Sequence, residues 1–495
     1  MAVLLGYDGG SSSIKVTLLE AETGKVLGSA ISPQQEMEIL AQQSGWAEQA
    51  PETWWQHCVT ATQTIKSNTG FDASAVKAIG ISYQMHGLVA VDKSGSVLRP
   101  SIIWCDSRAV EIGRKAALEI GEAWCLENLL NLPGNFTASK LRWVQENEPE
   151  IYARIDKIML PGDFIAMKMT GQIKTTPSGL SEGILWDFKK QGLAEQVMSY
   201  YGFDASLIPD IVPTFSDQGE LTRAAADELG LQVGTTIAYR AGDQPNNAFS
   251  LNVLNPGDVA ATAGTSGVVY GVSDRVDCDP KSRVNTFVHV NHGDDKSRYG
   301  VLLCLNGAGI LNSWLKHQVA GGMDYPAMND LAQQAPIGSA GLVILPYGNG
   351  AERTLENRNL GSSVHGLSFN VHTQAHLLRA AQEGIVFALN YGLEIMQQTG
   401  VRAERVRAGH ANMFLSPLFT QAFATVTGAT VQLYLTDGSQ GAARGAGIGA
   451  GLYASEAEAF VGLDSEKQIE PDAAARAAYQ DAYGQWLAVL NGQLS

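Results

Sequence analysis

The run Asp8-Gly9-Gly10-Ser11-Ser12-Ser13 stands between two apolar segments, Val3-Leu4-Leu5-Gly6-Tyr7 and Ile14-Lys15-Val16-Thr17-Leu18-Leu19. The order reads strand, small-residue turn, strand. In a P-loop or a dinucleotide-binding unit the glycine-rich turn opens a helix. Here it opens a strand, which excludes both in spite of the glycines. Glu20-Ala21-Glu22-Thr23-Gly24 makes a second turn and Lys25-Val26-Leu27 begins a third strand, so the chain starts as a meander.

That beginning recurs. Asp258-Val259-Ala260-Ala261-Thr262 leads through Ala263-Gly264-Thr265-Ser266-Gly267 into Val268-Val269-Tyr270. A chain of 495 residues exceeds one ordinary core, and the repeat divides it into two related halves, 1–247 and 248–495. Between them lies Tyr239-Arg240-Ala241-Gly242-Asp243-Gln244-Pro245. Helical spacing of Trp54, Cys58, Ala61 and Ile65 after Pro51 predicts a helix over 51–67. Residues 78–83 read as a buried strand ending in Gln84-Met85-His86-Gly87, and 88–104 as a hairpin turning at Asp92-Lys93-Ser94-Gly95. A long helix is predicted over 372–398. The glycine- and alanine-rich stretch 438–451 reads as a helix packed closely against a neighbour.

The formal net charge of -16 repels nucleic acid and anionic membranes, so neither is an expected partner. It also repels ATP, so a nucleotide site needs local help from Mg²⁺, backbone N–H groups or a few basic residues. With 45% hydrophobic and 17% charged residues the composition is that of a globular protein. Five widely spaced cysteines without a CxxC point to reduced thiols, a cytoplasmic location and no zinc site. The N-terminus lacks a basic signal-peptide region, and no apolar run reaches the roughly 18 residues of a membrane span.

Two hydroxyl-rich turns, one in each half, offer N–H and hydroxyl groups that can wrap an anion from two sides. Asp8 on the first turn can hold Mg²⁺ through water. Asp243 ends an apolar strand, where a carboxylate can orient and deprotonate an attacking hydroxyl. An anion cradle, a metal carboxylate and a base are the parts of phosphoryl transfer. Each also has a plain reading: Asp8-Gly9 as a type I′ hairpin turn, Asp243 as the cap of a helix beginning at Pro245, Gly264-Thr265-Ser266 as an ordinary turn, and His86 as a histidine bonded to its own loop.

The opening Asp8-Gly9-Gly10-Ser11-Ser12-Ser13-Ile14-Lys15 resembles the D-x-G-T-S-S-x-K start of the FGGY carbohydrate kinases. The resemblance runs through Gly45 to Gln49 with Trp54-Trp55, and through Trp104-Cys105-Asp106-Ser107-Arg108, like W-x-D-x-R. It goes on through Ser178 to Asp187, Gly242-Asp243-Gln244, Gly264-Thr265-Ser266, Pro346-Tyr347, Glu352-Arg353-Thr354 and Glu383-Gly384. It implies an α/β protein of two actin-like ATPase (ribonuclease H-like) domains flanking a deep catalytic cleft, with sugar and base in the N-terminal domain and ATP in the C-terminal one. Asp243 is then the base, and Asp8 and Asp243 the metal side. Gly10, Ser11, Ser12, Ser13 and Lys15 handle phosphate, and Gly264, Thr265, Ser266, Gly309, Gly409, His410 and Asn412 the rest of the nucleotide. Gln84-Met85-His86-Gly87 is similar to the Q-M-H-G of xylulokinases, which implies D-xylulose as the small-molecule substrate. Trp104 and Asp106 join the sugar side, although Asp106 with Arg108 reads equally as a salt bridge supporting its loop. A homodimer is expected by the same resemblance. The alternatives are another FGGY sugar or polyol kinase and a non-catalytic sugar-sensing relative. Two departures stand out: Ser11 replaces a threonine, and Arg407-Ala408-Gly409-His410-Ala411-Asn412 stands where relatives have G-G-G-A-K, which alters the expected hold on adenosine.

Overall fold

The first meander forms as its apolar pattern dictates. In the computed structural model, which describes residues 1–495, β1 (Val3–Gly9), β2 (Ile14–Glu20) and β3 (Val26–Ser32) are antiparallel neighbours. β4 (Val76–Tyr83) lies parallel to β1, and β5 (Thr236–Gly242) parallel to β4. The sheet order is therefore β5-β4-β1-β2-β3. Helix Pro51–Thr69, with proline in its first turn, buries Trp54, Cys58, Ala61 and Ile65. This is the face that the helical spacing predicts.

Contacts divide the chain into two compact units. The first holds Met1–Asn252, Phe287–Tyr299 and Thr436–Leu463. The second holds Val253–Thr286, Gly300–Leu435 and Asp464–Ser495. The helix Gly438–Gly449 thus belongs with the first sheet, and small residues put it there. A Cβ on Gly6 would lie 1.9 Å from Ser439 O, and one on Gly80 1.9 Å from Ala442 O. Any side chain at either glycine would push the helix off the strands.

In the second unit β6 (Asp258–Ala263) and β7 (Gly267–Ser273) form the repeated hairpin. With β8 (Tyr299–Leu305), β9 (Arg405–Gly409), β10 (Thr430–Tyr434) and β11 (Ser465–Ile469) they lie in the order β8-β7-β6-β9-β10-β11. β9 is parallel to β6 and β10 to β9. Helix Gln374–Gln398 buries Ala381, Ile385 and Leu389 against this core.

One expected element is built differently. The turn after Asp92 exists, with Gly95 N donating to Asp92 O at 2.8 Å. Its flanks bridge each other only at Val91 with Val97 and Leu88 with Ile102, and on their other sides take distant partners: Val89–Val91 pairs with Lys157–Met159, and Ser101–Ile102 with Glu48–Gln49. Strands of two or three residues hold too little of their own register to resist such partners. No helix is long and apolar enough to cross a membrane.

Candidate active site

In the first unit three parallel strands end together. Asp8 lies opposite Ser82 and Gly9 opposite Tyr83, while Ala241 and Gly242 face the same two residues from the other side. Asp8, Gln84–Gly87 and Asp243 therefore gather at one sheet edge, the carboxyl-end edge where open α/β sheets take ligands.

Asp8 is the last-but-one residue of β1, and Ser82 Oγ donates to its Oδ1 at 2.8 Å. Burial lifts its carboxyl above the usual value, against that bond. Its other oxygen occupies space left by Gly438, where a Cβ would be 2.3 Å away. Neither Gly9 nor Gly10 has positive φ, so the turn is not the type I′ turn that Asp8-Gly9 permits. Instead Gly10 N donates to Ser13 O, Ser11 O accepts from Gln49, and Ser12 O accepts from Met37 N. Lys15 binds Asp437 at 2.6 Å. Asp437 caps the helix Gly438–Gly449. Burial works against its charge, but Lys15 and Ser439 hold it below the carboxylate range.

Asp243 opens the helix Asp243–Ser250, with Gly242 in the cap position and no side-chain cap bond. The helix starts two residues ahead of Pro245, and the carboxylate accepts hydrogen bonds from Gln244 in its first turn. Burial first, and then the charge of Asp8, push it up to about 7. A carboxylate so tuned is a fit general base near neutral pH.

His86 stands in the left-handed region at φ +61°, a costly conformation for a non-glycine residue that persists only where its surroundings fix it. They do. Lys140 Nζ donates to its carbonyl at 2.8 Å, and its Nδ1 lies 2.8 Å from Glu182 O. Phe136 and Phe287 pack on the ring at 4.9 and 5.5 Å. Lys140 is itself fully buried, and burial lowers its ammonium to about 7. Met85 packs on Gly242, and Gly87 leaves room for Pro161. Gln84 is buried; it donates to Gln49, the side chain that holds Ser11 O, and so braces the first turn. Its Oε1 is buried without a partner. Trp104 is half exposed, its Nε1 3.5 Å from Ser11 Oγ.

Asp106 is a correction. It is fully buried, with Oδ2 accepting from Ala47 N at 2.6 Å and both oxygens bound by Arg108. Arg108 in turn lies 3.8 Å from the Trp46 ring centre. No oxygen is left for a sugar, and the salt-bridge reading is the one the geometry carries.

In the second unit the turn Gly264–Ser266 meets the start of helix Gly309–Gln318. Gly309 N donates to Gly264 O at 2.9 Å and Ile310 N to Thr265 O at 3.1 Å. A Cβ on Gly309 would stand 2.2 Å from Gly264 O. A cavity of about 410 Å³ opens there, lined by Gly264, Thr265, Gly309, Asn312, Tyr325, Asn329 and Asn412 among others. Every polar group named is neutral. Ser266 faces Cys304. Gly409 ends β9, but His410 turns to Glu466, 2.5 Å away, and does not line the cavity.

No group of three or more His, Cys, Asp or Glu side chains gathers as a metal site. Mg²⁺ does not require such a group, since it takes one or two carboxylates and completes its shell with water and phosphate oxygens. Asp8 raising Asp243 is a like-charge conflict that a divalent cation relieves. Sequence reading missed Ser82, Lys140, Glu182, Asp437 and Gly438. Of these only Asp437-Gly438-Ser439 carried a local signal, an N-cap ahead of a small-residue helix.

Comparisons with known proteins identify the family. The model of the FGGY family of carbohydrate kinases matches as its N-terminal domain over residues 3–250 and as its C-terminal domain over 259–454. A xylulose kinase of Escherichia coli (strain K12) is 30% identical over 486 residues, 96% of each chain. A crystal structure of xylulose kinase from Rhodospirillum rubrum superposes with a TM-score of 0.89 at 25% identity, over 99% of this chain and 98% of that one. A gluconate kinase from Lactobacillus acidophilus, 21% identical with a TM-score of 0.90 over 100% of this chain and 98% of that one, shares the fold. With both halves matched in order, the chain belongs to the FGGY family of carbohydrate kinases.

Proposed function

We propose that this sugar kinase transfers the γ-phosphoryl group of ATP to D-xylulose, giving D-xylulose 5-phosphate. The observation that carries the reading is a buried carboxylate pushed up to about 7, Asp243, at the sheet edge that also bears Gln84-Met85-His86-Gly87. The names of the relatives, xylulose kinases along nearly their whole length, support the choice of sugar.

Each residue then has a task. Asp243 accepts the proton of the attacking hydroxyl. His86 and Met85 bind the sugar, and Trp104 flanks it. Asp8 and Asp243 hold Mg²⁺, and the turn Gly10–Ser13 with Lys15 orients phosphate. Gly264, Thr265, Ser266 and Gly309 receive the nucleotide phosphates, with Gly409 and Asn412 toward the nucleoside, while His410 stays paired with Glu466. Bound Mg-ATP supplies the phosphoryl group and the cation that offsets its charge. Because the cavity in the second unit is lined by neutral donors, it takes an anion without the repulsion that the net charge imposes elsewhere.

We also place the enzyme in the cytoplasm, in keeping with its five free cysteines, as a homodimer, which sedimentation tests. The function itself is tested by coupled ADP release over ketoses, polyols and sugar acids. D-xylulose is expected to give the highest kcat/KM. A higher value for gluconate or glycerol refutes the substrate, and ADP release with none of them refutes the kinase reading.

A further inference from the structure

Glu182 has no task in the reaction as derived, yet it is among the most deeply buried charged side chains of the first unit. It ends the helix Pro177–Glu182, is 1% exposed, and has neither carboxylate oxygen in a hydrogen bond. The Tyr83 hydroxyl and the His86 N–H are near it without closing bonds of ordinary geometry. A buried carboxyl without a partner is costly, and such groups persist where they do something.

Its surroundings say what. Oε2 lies where a Cβ on Gly242 would be only 2.9 Å away, directly beneath the turn that carries Asp243. The same Oε2 is 4.0 Å from His86 Nδ1. The backbone oxygen of Glu182 is 2.8 Å from that Nδ1. A carbonyl oxygen only accepts, so Nδ1 carries a proton, and in the neutral ring Nε2 is then an acceptor. Glu182 thus touches both the sugar wall and the turn of the base.

We propose that Glu182 is a positioning residue: its backbone oxygen holds His86 as the Nδ1–H tautomer, and its side chain wedges the ring at fixed spacing from the Asp243 turn so that this bond keeps its geometry. The inference rests on the reading of His86 as a sugar contact. It makes the atom recognised there a hydroxyl, which donates to Nε2, rather than the ketose carbonyl, which needs a donor.

Two measurements on the full chain test it. Long-range ¹H–¹⁵N spectra, with His86 identified by the signals lost in His86→Gln, should show Nδ1 protonated and Nε2 not at pH 8. In Glu182→Ala the backbone oxygen stays but the wedge is gone, so the ring should drift off that oxygen and the two tautomers should mix. A wild-type ring protonated at Nε2, or a Glu182→Ala spectrum like wild type, overturns the proposal. In steady-state kinetics Glu182→Ala should raise the KM for D-xylulose about tenfold while the KM for ATP stays within about twofold. Glu182→Gln, which keeps the wedge under Gly242, should recover most of that loss. Equal rises in both KM values, or a Gln variant as damaged as the Ala variant, overturn it. If the wild-type protein phosphorylates no sugar, the proposed function fails, while the ring spectrum still reports where the proton sits.

Discussion

The two hairpin turns of this molecule sit on the same frame and are dressed in opposite ways. In each unit an antiparallel hairpin continues into two parallel strands: β2-β1-β4-β5 in the first, β7-β6-β9-β10 in the second. Around the first turn stand Asp8, Asp243 and Asp437, with Glu182 behind them. Around the second stand Thr265, Asn312, Asn329 and Asn412, with no carboxylate among the lining residues. The frame decides where a ligand goes, and the side chains at the strand ends decide what is done to it. In the proposed function the carboxylates serve proton transfer and metal binding, and the neutral donors receive a polyanion.

The comparison can be broken at either turn. With the Asp243 carboxylate left in place, the largest effect is expected from Gly438→Ala. A methyl group there would lie 2.3 Å from Asp8 Oδ2 and must displace that carboxylate. A displacement of about 1 Å costs on the order of 10² in rate, so kcat should fall about that far with the fold intact by circular dichroism. Gly309→Ala is the counterpart in the second unit. Its methyl would clash with Gly264 O, and overpacking of this kind costs about 1–3 kcal/mol. The KM for ATP should rise about tenfold while the KM for sugar holds; an equal rise in both would erase the division of labour.

A pH series sharpens the contrast, because among these groups Asp243 is the proposed base. It must be ionised to accept a proton, and it is pushed up to about 7, so kcat/KM for sugar should rise with pH through about 7 and then level. Stability runs the other way. A carboxyl raised above its unfolded value takes up a proton on folding, so metal-free melting temperature should fall as pH rises from about 4 to 7. Asp243→Asn should flatten that slope. The smallest effect concerns His410. Its imidazole is paired with Glu466 and does not line the cavity, so His410→Gly should change the ATP-to-GTP activity ratio less than about twofold. A larger change would place the ring at the nucleoside.

Much of this frame was legible in the sequence, because it depends on local pattern. The small turns between apolar runs, the helix after Pro51 and the close-packing character of 438–451 each follow from residues near one another in the chain. The partners of 438–451 were not legible, since Gly6 and Gly80 invite a helix without saying which. The same holds for the charged residues that fix His86. Lys140 and Glu182 lie 54 and 96 positions away from it, in helices whose sequences show only a polar residue. Asp106 with Arg108 left two readings open because the stack on Trp46 that settles it spans 62 residues.

The division between the turns is tested most directly by Asp243→Asn, assayed for turnover and, by calorimetry, for binding of ATP and of D-xylulose. The substitution keeps shape and removes basicity, and loss of a general base costs about 10² to 10⁴ in rate. Turnover should fall by that factor while both ligands bind within about twofold of wild type. Near-wild-type turnover would contradict the account, because the acid-rich turn would then hold no base.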